Sequence, residues 1–361
     1  MSVAVIGAGG WGTALAVSLS RPREGTSSDV SQGRTGHTIA LWVRDPVKAK
    51  SIDLLRENAD YLPAVLIPPE IRIISDLEEA FREAEAFVIA VPAQHVREVL
   101  IRVVTAWQTV HGDASAPVAI INVAKGLELG SRRRMSEVIK EATPSSWHRG
   151  ICTLSGPNHA EEVGRGLPAA TVVGCEVKET AAYVQDLFMS PTLRVYTNPD
   201  LVGVEVSGAL KNVIALAAGI SDGLGFGDNA KAALMTRGIV EIARLGVALG
   251  ARAETFAGLA GMGDLIVTCT SRHSRNARAG RAIGEGKTLD EALGSTRMVV
   301  EGVFTARAAL ELARQTGVEM PITETVCAIL FEGLPPRQGV SRLMERERTH
   351  EDEAEHTRWR P

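Results

Sequence analysis

The sequence predicts an α/β N-terminal domain built on a doubly wound sheet, joined to an all-α C-terminal domain. Three observations carry this. An apolar strand runs straight into closely spaced glycines at the start of the chain. Short β-rich runs alternate with helix-like segments through the first half, the pattern of a parallel sheet wound on both faces. After about Tyr196 the strand signals disappear and long helical runs take over.

The first element is the segment Val3–Ala16, VAVIGAGGWGTALA, in which Gly7, Gly9 and Gly12 open a small-residue helix. Gly7 lets the chain turn sharply out of the strand, and Gly9 lets backbone approach a pyrophosphate. Gly12 lets the helix press on the sheet with its dipole aimed at the phosphates. Glycines at this spacing also serve in any tight turn, but strand before and helix after make this a Rossmann-type dinucleotide loop. Arg21–Gly36, rich in Ser, Gly and Arg, has no periodicity and reads as an exposed, mobile loop.

The second strand, Thr38–Val43, leads into Arg44-Asp45, where an adenosine ribose is read. A carboxylate there binds two ribose hydroxyls, whereas an arginine attracts a 2′-phosphate. Arg44 comes first and favours NADP. Asp45 next to it keeps NAD open, as does an exposed turn pair with neither role. Further strands are expected at Ala86–Val91, Val118–Val123, Ile151–Leu154 and Thr171–Val173, with helices at Pro92–Trp107 and Ser131–Glu141. Lys125 follows the Val118–Val123 strand, at the edge where open α/β sheets bind ligands. It can meet substrate or phosphate, or be a loop cation.

In the second half, helices are expected at Glu205–Ile220, at Ala230–Leu249 closed by Gly250, and at Ala306–Gln315. The first is apolar around its circumference and should be buried, yet it contains Lys211. The lysine's stripe is Val204, Ser207, Gly208, Lys211, Ala215 and Ala218, and these small neighbours leave a groove beside the ammonium. Desolvation would lower the amine's pKa and ease proton exchange with a carbonyl or hydroxyl oxygen; the bland alternative is a lysine that snorkels to solvent. Beyond Gly261-Met262-Gly263-Asp264 lies Ser271-Arg272-His273-Ser274-Arg275-Asn276, whose guanidinium, hydroxyl and amide suit a multi-oxygen anion. Arg272, Arg275, Arg278 and Arg281 also fit a single cationic helix face. The expected division is 1–197, 198–344 and a charged tail, 345–361.

With 361 residues and 45% hydrophobic content, two cores are well supplied. A net charge of −4 argues against broad nucleic-acid or acidic-membrane binding. Cys152, Cys175, Cys269 and Cys327 show no CxxC spacing and no His pair completes a zinc site, so reduced, buried thiols and no metal are expected. The N-terminus has no cationic leader and no run reaches membrane-spanning length, so a cytoplasmic protein is expected.

The glycine loop, Lys125-Gly126-Leu127-Glu128, Ser155-Gly156-Pro157, Arg194-Val195-Tyr196, Gly208-Ala209-Leu210-Lys211-Asn212, Ser274-Arg275-Asn276 and Val300-Glu301-Gly302 occur in one order. From Val3 to about Met344 the chain resembles bacterial-type NAD(P)-dependent sn-glycerol-3-phosphate dehydrogenase. The resemblance implies reversible hydride transfer between NAD(P)H and dihydroxyacetone phosphate, supplying sn-glycerol 3-phosphate for glycerophospholipid synthesis, and a homodimer. It makes Lys211 the catalytic lysine. Lys125, Gly156, Asn158, Asp264, Ser274, Arg275 and Asn276 then become substrate contacts, with Lys125 and Arg275 also touching cofactor. Gly7, Gly9, Gly10, Trp11, Gly12, Arg44, Tyr61, Ala160, Val299 and Glu301 fall to the cofactor side. Gly10 stands where Ser is common and Asn158 where Ser or Thr is usual, and Arg21–Gly36 is long for the family. Two other readings are a dehydrogenase of hydroxy acids or hydroxyacyl thioesters, and a nonenzymatic NAD(P)H sensor.

Overall fold

The computed structural model describes residues 1–21, 37–294 and 299–347. The expected loop Arg21–Gly36, apart from Arg21, and the tail beyond residue 347 lie outside them. Arg21 itself is anchored rather than loose: its guanidinium donates to the carbonyls of Val163 (2.9 Å) and Gly164 (2.7 Å) and to Thr192 Oγ1 (3.3 Å).

The strands are β1 Ser2–Ile6, β2 Thr38–Trp42, β3 Glu57–Asn58, β4 Leu62–Leu66, β5 Ile71–Ile74, β6 Ala86–Ile89, β7 Ala119–Asn122, β8 Ile151–Ser155, β9 Ala169–Cys175 and β10 Leu193–Asn198. Eight form one sheet in the order β10-β9-β8-β7-β6-β1-β2-β5, while β3 and β4 make a separate hairpin. Around the sheet lie α1 Gly10–Leu19, α2 Pro46–Leu55, α3 Leu77–Phe81, α4 Val96–His111, α5 Met135–Ala142, α6 Ala160–Arg165 and α7 Lys178–Phe188. Strands β1, β2, β5, β6, β7 and β8 are parallel, as expected for a doubly wound sheet. The expectation of a wholly parallel sheet needs correcting at one edge. β9 runs antiparallel to β8, and β10 is parallel to β9. The chain between β8 and β9 holds one short helix, α6.

The apolar β-branched runs bury both sheet faces, one under α1 and α7 and the other under α4 and α5, where Phe81, Phe87, Trp107 and Trp147 pack edge to face. The order of the chain reverses between β1, which leads outward to β2 and β5, and β6, which starts the other wing. Ligands in such sheets bind outside the strand C-termini at this reversal. The loops after β1, β6, β7 and β8 therefore meet at one crevice.

The second domain is helical: α8 Leu201–Gly223, α9 Gly227–Ala248, α10 Asp264–Thr270, α11 Arg275–Gly284, α12 Leu289–Gly294, α13 Glu301–Thr316, α14 Pro321–Phe331 and α15 Pro336–Met344. The expected boundary at 197/198 falls on the last residue of β10. Asp200 caps α8, accepting from Gly203 N (2.8 Å) and also from Arg252 N and Thr255 Oγ1. Among the described residues α8 alone is long and apolar enough to cross a membrane, and it runs through the middle of the helical domain, 89% of that stretch being buried. The four cysteines are free and buried.

Candidate active site

The glycine loop turns as its spacing requires. Gly7 has φ +119°, and a Cβ there would lie 2.7 Å from the Ala90 carbonyl at the end of β6. A Cβ on Gly12 would overlap the Gly7 carbonyl, so α1 can start only with glycine against that turn. Gly9 faces open space, the cradle that an anionic bridge would fill. Gly10 explains itself differently. A Cβ there would stand 2.7 Å from the Tyr61 carbonyl, which it would displace, and 3.8 Å from Ala160 Cβ, in ordinary contact. Trp11 carries a buried indole N–H with no protein partner.

Beyond β2, Arg44 and Asp45 separate in role. Asp45 is the N-cap of α2, its Oδ1 accepting from Val47 N (2.8 Å) and Lys48 N (3.4 Å). Arg44 is exposed and has no ion pair among the described residues. Lys48 is held by Asp60 at 2.7 Å and lies 4.1 Å above the Tyr61 ring.

Lys125 projects from the loop after β7, which Asn122 shapes by bonding both N–H and C=O of Ala124. Its Nζ donates to Gly156 O (3.2 Å), Asn158 Oδ1 (3.1 Å) and Asp264 Oδ2 (2.9 Å). Gly156 follows β8 at φ +154°, where a Cβ would meet Thr171 Cα at 2.9 Å. Lys211, from mid-α8, is buried and does not snorkel. Its ammonium pairs with Asp264 Oδ1 and donates to Thr268 Oγ1 at 2.9 Å. The structure thus brings Lys125, Gly156, Asn158, Lys211 and Asp264 together around one carboxylate.

Asp264 starts α10 directly after a π-helical turn, Leu259–Gly263, a distortion frequent at functional sites. Burial would raise its pKa, but Lys125 and Lys211 outweigh that and hold it below the usual range, as an anion. Lys211 is pushed down to about 7, burial being the main cause and the Lys125 charge adding to it, while Asp264 pulls the other way. An amine poised there can give and take a proton near neutrality. Thr268 escaped the sequence reading. It sits one turn after Asp264 on the same face of α10 and bonds back to the Asp264 carbonyl (2.6 Å), and that spacing was the available signal. Ser155 Oγ, at the end of β8, lies 3.4 Å from Asp264 Oδ2.

The Ser274-Arg275-Asn276 triplet divides. Ser274 Oγ caps α11, accepting from Ala277 N (3.2 Å). Asn276 has its amide engaged on both sides, donating to Asn212 Oδ1 (2.9 Å) and accepting from Gly302 N (2.9 Å). Asn212 in turn donates to the Lys125 carbonyl (3.2 Å), so this chain of amides ties α8, α11 and α13 to the lysine's loop. Arg275 donates to Val299 O (3.0 Å) and lies within electrostatic reach of Glu301. The arginine face of α11 also exists: Arg278 and Arg272 are exposed, and Arg281 bridges to Asp222 at 3.0 Å. Glu301 accepts from Ala93 N (3.1 Å) after β6, burial raises its pKa, and its second oxygen has no protein partner. The orphaned Trp11 donor, the orphaned Glu301 acceptor and the open face of Gly9 fit a bound dinucleotide with an anionic bridge and an amide-bearing ring. Among the described residues no cluster of His, Cys, Asp and Glu could hold a metal.

Comparison with known proteins matches this architecture throughout. The family described as NAD-dependent glycerol-3-phosphate dehydrogenase N-terminus matches residues 2–181, and the corresponding C-terminus family matches residues 200–341. The chain is 51% identical over 351 residues to glycerol-3-phosphate dehydrogenase (NAD(P)+) of Desulfitobacterium hafniense, covering 97% of this chain and 93% of that protein. The crystal structure of glycerol-3-phosphate dehydrogenase from Coxiella burnetii superposes with TM-score 0.84 at 34% identity, covering 96% and 99% of the two chains. That of the Saccharomyces cerevisiae enzyme gives TM-score 0.77 at 26% identity, with 96% and 99% covered.

Proposed function

The chain belongs to the NAD-dependent glycerol-3-phosphate dehydrogenase family, and from that premise we propose how its residues divide the reaction. The protein is an NAD(P)-dependent oxidoreductase acting on glycerol 3-phosphate. The observation that supports the assignment of roles is the single buried carboxylate shared by two lysines.

NAD(P)H, when bound, supplies the hydride to C2 of dihydroxyacetone phosphate. Lys211 gives its ammonium proton to the oxygen on that carbon as negative charge develops there, and in the oxidative direction it takes the proton back. Asp264 keeps the ammonium in place, and Thr268 fixes its direction by accepting one of its hydrogens. Lys125, cross-braced by Gly156 and Asn158, brings a second positive charge to the same oxygen and reaches toward cofactor. Arg275 and the first turn of α11, capped by Ser274, serve the phosphate end, and fixing that end positions C2. Asn276 acts through its bonds to Asn212 and Gly302.

On the cofactor side, Gly7, Gly9, Gly10, Gly12 and Trp11 take the pyrophosphate. Tyr61 and Ala160 would hold it from beside the loop, and Val299 and Glu301 would serve the nicotinamide end. Arg44 favours NADP, because Asp45 is committed to its helix while Arg44 is free for a 2′-phosphate. The product feeds glycerophospholipid synthesis in the cytoplasm, and the protein works as a homodimer with the division 1–197 and 198–344. The test is the initial rate with dihydroxyacetone phosphate and NADPH or NADH, with unphosphorylated dihydroxyacetone as control. Phosphate-dependent turnover is expected, and folded protein without turnover would overturn the reading.

A further inference from the structure

Strand β9 breaks the parallel order of the sheet, and the break carries one of its hydroxyls to the site. β9 pairs antiparallel to β8 with Ser155 opposite Val172 and Cys152 opposite Cys175, so the start of β9 lies beside the C-terminal end of β8. A parallel neighbour would bring the other end of the strand to the crevice. Thr171, near the start of β9, therefore packs under the turn at Gly156, where an added Cβ would come within 2.9 Å of Thr171 Cα and 3.4 Å of its Oγ1. Thr171 is fully buried.

From Thr171 a line of hydrogen bonds runs to the lysines. Thr171 Oγ1 donates to Ser155 O (3.1 Å) and accepts from Asn158 Nδ2 (2.9 Å), and Asn158 Oδ1 accepts from Lys125 Nζ (3.1 Å). Lys125 gives its other hydrogens to Gly156 O (3.2 Å) and Asp264 Oδ2 (2.9 Å). The direction of the line is forced. An ammonium only donates, so the Asn158 oxygen must face it; the amide nitrogen then faces Thr171, whose own proton is left for the Ser155 carbonyl. Reversing either member would set two donors face to face at a buried point, Asn158 being 8% exposed.

We propose that Thr171 and Asn158 are positioning residues for Lys125, fixing one of the three bonds of its ammonium and so holding that charge at a set place beside Lys211. The proposal rests on the dehydrogenase reading and deepens the part Lys125 plays in it. Asn158 has both ends of its amide engaged, and it serves the triose through Lys125 rather than by touching it. Lys211 is faced by Asp264, Thr268 and Cys269 of α10, by Lys125 and by His159. The repulsion from Lys125 adds to burial in lowering the Lys211 pKa, so slack in Lys125 is read at Lys211 as a shift in its titration.

The experiment measures kcat/KM for dihydroxyacetone phosphate against pH in T171V, T171S, N158A, K125M and the double variants N158A/T171V and N158A/K125M, with NADPH binding followed by fluorescence to show an intact fold. N158A is expected to lower kcat/KM roughly 10- to 100-fold, the size of a lost hydrogen bond to a charged group, and T171V about threefold to tenfold. Because both act through one line, N158A/T171V should fall within about twofold of N158A. T171V should also move the descending limb of the profile to higher pH, in the direction of K125M, and T171S should leave rate and limb near those of the wild type. In K125M, adding N158A should change the rate by less than about twofold; this pair carries the test if T171V does not fold. Additive losses, an unmoved limb in T171V, or a further loss from N158A in the absence of Lys125, which would mark a direct contact with the triose, would each overturn the proposal. A folded wild-type protein that does not turn over dihydroxyacetone phosphate at all would refute the dehydrogenase reading, and the inference with it.

Discussion

The Lys211 ammonium meets the Asp264 carboxylate inside a wall that water barely reaches, their side chains being 7% and 2% exposed. The pair is tolerable there because Thr268 completes the ammonium's partners and Lys125 the carboxylate's. Removing the amine should therefore be selective. K211A is expected to lower kcat about 10²- to 10⁴-fold while NADPH binding stays within about twofold; steady-state rates and a fluorescence titration check both.

The pH dependence follows from the same pair. Triose reduction needs Lys211 protonated, so kcat/KM should fall as pH rises through about 7, and that of glycerol 3-phosphate oxidation, which needs the neutral amine, should rise through the same region. Removing the like charge with K125M should move this limb to higher pH, and removing the counter-ion with D264N should move it lower. Profiles of kcat/KM in the two directions that shift together would confirm one shared group; unmoved limbs would assign the proton to another residue.

Thr268 acts by direction. T268V keeps the volume but removes the oxygen that accepts from Lys211, and kcat should fall about tenfold with KM little changed. T268S should restore most of the rate. A loss equal in both variants would mark a packing role instead.

Arg44 is expected to discriminate cofactors. R44A should raise KM for NADPH about tenfold or more and leave KM for NADH nearly unchanged. D45A should leave the preference alone and cost about 0.5–2 kcal/mol of stability through the lost cap of α2. Cofactor kinetics beside a thermal melt separate the two effects.

Domain docking rests on another buried carboxylate. Glu205, from the first turns of α8, accepts from Arg134 Nη1 (2.8 Å), Ser136 N (2.7 Å) and Ser136 Oγ (2.6 Å) at the start of α5. E205A leaves Arg134 with Glu137 (3.3 Å) and Ser136 as its remaining partners and strips the Ser136 N–H of its acceptor, and it should cost about 1–3 kcal/mol, measured by denaturant unfolding.

The expected strands at Thr38–Val43, Ala86–Val91, Val118–Val123, Ile151–Leu154 and Thr171–Val173 match β2, β6, β7, β8 and β9 to within a few residues, because buried strands are written as uninterrupted apolar runs. Strand direction is not written that way, and the reversal at β9 was invisible. So were the β3–β4 hairpin, where Leu62–Leu66 exposes Pro63, Ala64 and Leu66, and β10, which alternates buried Leu193 and Val195 with exposed Arg194 and Tyr196. Within the site, Lys211 stood out as a charge in the middle of an apolar helix. Thr268 and Ser155 did not, since a hydroxyl beside an apolar run looks like any other until its partner is placed.

Lys125 belongs to the sheet and Lys211 to the helices, yet both close on the two oxygens of Asp264. Neither half of the molecule therefore contains all three charges. Split at the junction, the sheet half would keep a cation with no anion, and the helical half an acid–base pair tuned without its neighbour. Unlike the nucleotide loop, which lies within one half, the chemistry is a property of the joint, and it is made or lost in the same event that brings the halves together.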